Sequence, residues 1–170
     1  TEVQAFTTTQ AGAITASQLG SLTTTAVNNL STTQVAALTT TQTQGLTTTQ
    51  LNGLTTANLD SVTLTKLSTG QVAGLSTTSV GNLTTTQVTA LAATEVAALN
   101  ASQIEQLTTT ELQNLSTTQA GALTALQIGS LSTTVLNNLT TTQVAALTTT
   151  QVQGLYWTQL NALSVSNLDA

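Results

Sequence analysis

An apolar residue returns every eight positions along almost the whole chain, a period that no continuous regular element tolerates. The series runs from Phe6 through Ile14, Leu22, Leu30, Leu38, Leu46 and Leu54, then resumes at Leu67 and continues unbroken to Leu163. A second apolar series follows five residues behind, through Leu19, Val27, Val35, Leu51, Leu59, Val72, Val80 and Val88 and on to Leu168. The unit reads L-T-T-T-Q-V-x-x. At about 100° per residue, a continuous helix would rotate its apolar stripe by roughly 80° in each unit, so no face would stay apolar. Runs of β-branched Thr also weaken a long helix.

A short helix restarting in every unit fits this pattern. From residue 6 to residue 170 there are twenty units, nineteen of eight residues and one of thirteen. The residue after Leu is Ser or Thr in seventeen of the twenty and Asn100 in one more, leaving Ala92 and Tyr156. Three residues later stands Gln or Glu in fifteen of the twenty. This is the spacing of a capping box, in which the cap hydroxyl takes the N3 amide and the N3 side chain returns to the cap amide. The Leu before the cap and the Val or Leu five residues on occupy the staple positions that fix the chain's entry. Gly45, Gly53, Gly74, Gly154, Asn29, Asn82, Asn114 and Asn138 close their units, where a left-handed residue would end a helix.

The expected fold is therefore all-α, a tight solenoid of very short capped helices, one per unit, around a shared axial core. That core is expected to hold Leu22, Leu30, Val35, Leu38, Leu83, Val88, Leu91, Val96, Leu99, Leu139, Val144 and Leu147. No single unit buries enough to fold alone, so order depends on stacking. The alternative is a β-solenoid, since Thr and Val favour strands and Gly or Asn suit corners. Against it, a spacing of five puts Leu and Val on opposite faces of a strand, and the N3 Gln has no role there.

Residues 1–170 read as one continuous array with a longer period on top. Residues 1–60 align with 110–169 at an offset of 109, with 42 identities in 60 positions, so the blocks are 1–109 and a partial copy, 110–170. Since 109 is thirteen octads plus five, each block contains one thirteen-residue unit, here residues 54–66. Its extra five residues, Val62-Thr-Leu-Thr-Lys66, are expected to form a bulge packed back on the coil, with Lys66 at the rim facing solvent or Asp60. The array is entered mid-unit, as expected for a segment of a longer one.

Chemistry is sparse. Charged residues make up 4% of the chain, one Lys and six acids, and there is no His, Cys, Met, Arg or Pro. One Lys makes no basic patch, so nucleic acid is not an expected partner; no apolar run reaches the ~20 residues that span a bilayer, so membrane insertion is not expected. A nucleophilic triad has no His to serve as base. Glu2, Asp60, Glu95, Glu105, Glu111 and Asp169 are scattered. The chain is therefore read as no enzyme, with no cofactor, metal or catalytic residue. Glu2 and Glu111, and Asp60 and Asp169, are equivalent in the long period; they read as helix-end acids, with a cation site between copies as the alternative. Asn29, Asn82, Asn100, Asn114 and Asn138 stand in N-x-S/T sequons, frequent by composition alone.

The units LTTTQVAA, LTTTELQN and LNASQIEQ resemble the octapeptide stretches, L-[ST]-x-x-[QE]-[VIL]-x-x, of large bacterial secreted or surface structural proteins. The resemblance implies an extracellular or cell-surface setting and brings no catalytic residues. The expected role is a filament or stalk segment whose partner is itself, end to end and laterally. The alternative is an adhesive or ice-binding module presenting ranked Thr. Tyr156 and Trp157, the only Tyr and Trp, replace a cap and the Thr after it. They read either as a lateral contact or carbohydrate-stacking platform, or as rings filling a local groove.

Overall fold

The computed structural model describes residues 5–164 and Asn167. Among these the chain is helical with no strand, which removes the β-solenoid. Nineteen α-helices of four to six residues follow one another, from α1 (Thr8–Gly12) to α19 (Trp157–Ala162), and a 3-10 helix, Leu64–Lys66, lies between α7 (Thr56–Ser61) and α8 (Thr69–Ala73). Each α-helix begins where the capping pattern puts it. In α10 (Thr85–Ala90), Thr84 Oγ1 accepts the Gln87 amide and Gln87 Oε1 accepts the Thr84 amide at 3.0 Å. Ala92 and Tyr156 lack the cap oxygen, and there only the returning half survives, from Glu95 and Gln159.

Each helix stacks on the one three units earlier: α5 (Thr40–Gly45) on α2 (Ala16–Ser21), α7 on α4 (Thr32–Ala36), α14 (Thr117–Gly121) on α11 (Ala93–Ala98). Three helices therefore make one turn of a three-sided coil. A full turn takes three octads, which sets Leu46 over Leu22. The apolar series meet on the axis. Leu30, Val35, Leu38, Leu83, Val88, Leu91, Val96, Leu99 and Leu139 are buried; Leu22, Val144 and Leu147 are half-buried and pack against them.

Two expectations need correction. The thirteen-residue unit is not an octad with a bulge but an octad followed by a five-residue unit that forms a side of its own. Val62, Leu64 and Leu67 are all buried in the axial core, and the 3-10 helix stacks between α5 below and α10 above. A turn that includes this side is built from two octads and one short unit. Lys66 does not stand at a rim facing solvent or Asp60: its ammonium donates to the carbonyls of Leu38 at 2.5 Å and Ala36 at 3.4 Å, one coil below. With this side counted separately, the described residues make twenty sides, just under seven turns.

The second correction concerns helix ends. No residue of the described chain has positive φ, Gly included. The closing Asn29, Gly53 and Gly74 have φ of −80°, −101° and −86°. Left-handed caps are unnecessary because each helix ends in a tight turn, the next Leu amide donating back three residues, as from Leu30 to Val27. Small residues at the corners serve close approach instead. A Cβ at Gly20 would lie 2.6 Å from the Gly45 carbonyl oxygen, and one at Gly45 would lie 2.5 Å from the Ala16 oxygen.

This distinction is testable. Gly20→Ala pushes against backbone and should destabilise by about 1–3 kcal/mol. Gly12→Ala, where a Cβ meets nothing within 4 Å at a helix end, should be neutral or gain roughly 0.5–1 kcal/mol. Chemical denaturation of the two variants gives both signs.

Candidate functional site

The residue types that dominate the interior surfaces are carboxamides, hydroxyls and aliphatics, so the site this chain builds best is the coil-to-coil interface. At its centre is the N3 Gln. Its Oε1 is spent on the cap amide of its own helix, which fixes the direction of its Nε2 towards the coil below. Gln50 Nε2 donates to Leu22 O at 2.7 Å and to Leu19 O at 2.8 Å. Gln143 repeats this with Leu115 and Leu112, both at 2.7 Å, and Gln159 with Leu131 and Ile128. Gln103, at 0% exposure, reaches three carbonyls, Val72, Ala73 and Leu75. The acceptors are the orphan carbonyls at the end of a helix. One side chain thus caps the start of its own helix and the end of the helix beneath. Lys66 fills the same position in the five-residue unit and answers the same carbonyls with a charge.

Five units lack Gln or Glu at N3: those of Ala26, Asn58, Ser79, Val135 and Asn167. The structure shows what replaces the missing fork in four of them. Asn28 Oδ1 accepts the Thr55 amide at 2.8 Å while its Nδ2 donates to Gly53 O at 2.7 Å. Asn52 does the same to Ser76 and Gly74, and Asn137 to Ser164 and Ala162. Glu105 accepts the Ser132 amide at 2.5 Å and its hydroxyl at 3.0 Å. In each case the clamp rises from the coil below to the corner whose own Gln is missing. The units of Asn58, Ser79, Asn167 and Val135 are thus served by Asn28, Asn52, Asn137 and Glu105 respectively.

The sequence reading found the Gln but gave it only its local half, and missed the clamps. The signal was present: an Asn or Glu seven residues into one unit coincides with a Gln-less unit four sides later, the five-residue side counted. Without the number of units per turn, that coincidence has no spatial meaning.

Tyr156 and Trp157 do not fill a groove with their rings. They are 62% and 73% exposed, and Leu126 is also exposed, at 79%. The Tyr156 ring lies over Gly129, where a Cβ would sit 3.6 Å from Cε2. Leu126 borders a cleft with Ala97, Ala98 and Ala101. Asp60 lies on α7, and among the described residues no group of three or more His, Cys, Asp or Glu is placed to hold a metal ion. Glu2 and Asp169 lie outside the described residues, as does Leu168. Among those described, no helix is long and apolar enough to cross a membrane.

Comparison with known proteins places one part of this chain. Residues 127–157 match the family model of the ALTTAQ repeat. Ala146-Leu147-Thr148-Thr149-Thr150-Gln151 lies within that span and carries the core-side Leu, the cap Thr and the N3 Gln in order. No curated protein and no solved structure matches the chain.

The exchange between clamp and Gln predicts a coupling. Asn52→Ala strands the Ser76 amide and the Gly74 carbonyl and should cost about 1–3 kcal/mol. Ser79→Gln should recover much of that loss, because the new side chain supplies its own cap acceptor. A double-mutant cycle by denaturation should then give a coupling of about 0.5–2 kcal/mol; additive effects would show the two devices to be independent. Gln103→Ala, which removes four hydrogen bonds, two of them fully buried, should cost about 3 kcal/mol or more.

Proposed function

We propose that this repeat module serves as a structural segment of an extracellular or cell-surface filament or stalk, in which coils of the same kind stack on one another without limit. The observation that carries this reading is the polarity of the interface. Every coil presents carboxamide donors on its lower side and helix-end carbonyls on its upper side, so the contact is head-to-tail and related by translation. Such a contact does not close on itself and extends into open fibres. The same surfaces serve whether the next coil belongs to this chain or to another copy.

The surface supports an extracellular setting in a second way. It is nearly uncharged, and its polarity comes from Thr, Ser, Gln and Asn. Exposed Thr pairs such as Thr32-Thr33, Thr48-Thr49 and Thr117-Thr118 follow the caps on all sides. They are borne on helices, not on the flat strand face that an ice-binding role would favour, and this leaves the spacer reading in front. Tyr156 and Trp157 supply a lateral contact or a carbohydrate-stacking platform on an otherwise Thr-covered side.

At an interaxial distance of about 8–10 Å between stacked helices, the coils of the described residues form a rod of roughly 60 Å. Negative-stain microscopy over rising concentration should show rods lengthening end to end. Rods of constant length at every concentration would confine the stacking to within one chain. Trp fluorescence reports the lateral contact separately: emission should be that of a water-exposed indole in dilute solution and shift to the blue when rods associate. An unchanged spectrum in assembled material would remove Trp157 from the contact.

A further inference from the structure

Two positions, Glu95 and Glu111, put a carboxylate where the ladder has Gln, and no clamp repairs either. Glu95 stands at N3 of α11, 5% exposed, and its Oε2 accepts the Ala92 amide at 2.6 Å. Gln103, one unit on, donates to the carbonyls of Val72 and Leu75. By the same offset of 28 residues, the carbonyl that Glu95 would meet is that of Leu67, one unit before Leu75. A Gln donates there; a carboxylate has no hydrogen to give. Glu111, also at N3, is held differently, since its Oε2 accepts both the Thr108 amide at 2.8 Å and the Thr108 hydroxyl at 2.9 Å. Ala92 has no hydroxyl, so Glu95 has only one donor on its capping side.

We propose that Glu95 is an acid-closed rung of the solenoid. Ionised, it only accepts, and the coil of residues 91–114 rests on the coil beneath without a bond at this corner. Taking one proton from water, the neutral carboxyl keeps one oxygen on the Ala92 amide and donates its O–H to the Leu67 carbonyl, as Gln Nε2 does elsewhere. The junction tightens when the surroundings acidify.

No charge nearby competes for this role. Helix α11 packs on α8 below and α14 above, and neither contains an acidic or basic residue. Lys66 precedes Leu67 in the chain, but its ammonium is bound to the Leu38 and Ala36 carbonyls a coil lower. Burial, the larger effect, pushes the Glu95 carboxyl above its ordinary value of 4.5, against a smaller lowering by the Ala92 amide. The sign follows. A carboxyl whose folded value is raised contributes stability that is full below 4.5 and is lost as pH rises through the raised value.

The test compares wild type with Glu95→Gln and Glu95→Ala in equilibrium unfolding between about pH 4.5 and pH 7.5. Glu95→Gln carries a permanent donor, so at the upper end its unfolding constant should be about tenfold smaller than that of wild type, and the gap should close as the pH falls. Glu95→Ala should be less stable than Glu95→Gln throughout and should fall behind wild type at the acid end, because it offers no donor at any pH. A gap between wild type and Glu95→Gln that does not change with pH overturns the proposal. So does Glu95→Ala tracking Glu95→Gln across the range, which would mean that removing a buried charge suffices and no bond to Leu67 forms.

Discussion

Everything in this fold depends on one side chain making bonds in two directions. A helix of five or six residues cannot satisfy its own ends, since nearly all its amides and carbonyls are terminal. The N3 Gln resolves both problems with one group: the carbonyl half of the carboxamide takes a cap amide, and the amino half takes the carbonyls that end a helix in the neighbouring coil. Because the first bond orients the second, secondary structure and tertiary stacking are not separable here. A unit that loses its neighbour loses the reason to be helical.

The aliphatic core alone would leave the register loose. Leu and Val at spacings of five and eight fill the axis of the coil, but a greasy axis tolerates sliding by one unit. The carboxamides remove that freedom, because a donor must meet the end of a helix and not its middle. The clamps from Asn28, Asn52, Asn137 and Glu105 show how strictly this is kept: where the fork is absent, a polar group from the adjoining coil takes its place. Lys66 makes the same point from the other side, since a side of only five residues still delivers a donor to the required carbonyl.

Local features were legible in the sequence because they are local. The cap hydroxyl, the N3 Gln and the two staple positions lie within six residues, and their chemistry admits one arrangement. The axial core followed from period alone. What the sequence hid was the closure of the turn: nothing in an octad says that three make a coil, so the distant partners of Gln50 or Asn28 had no address. The same gap produced the two errors. Val62 to Lys66 looked like an excess when measured against eight, but it is a complete side when measured against three. Gly45 and Asn29 looked like left-handed stops, yet corners this tight need small residues for clearance, not for unusual backbone angles.

The threefold coil also determines how the long period is displayed in space. A block of thirteen octads and one five-residue side contains fourteen sides, and fourteen is not a multiple of three. Corresponding residues in successive blocks therefore never share a face: Asn28 and Asn137, equal in sequence, sit on edges a third of a revolution apart. A run of such blocks sets equivalent features on the three edges in turn, with true axial repeat only after three blocks. Two rods joined through one such feature diverge before the next can engage, so contacts of this kind would cross-link rods into an open mesh and not zip them into bundles.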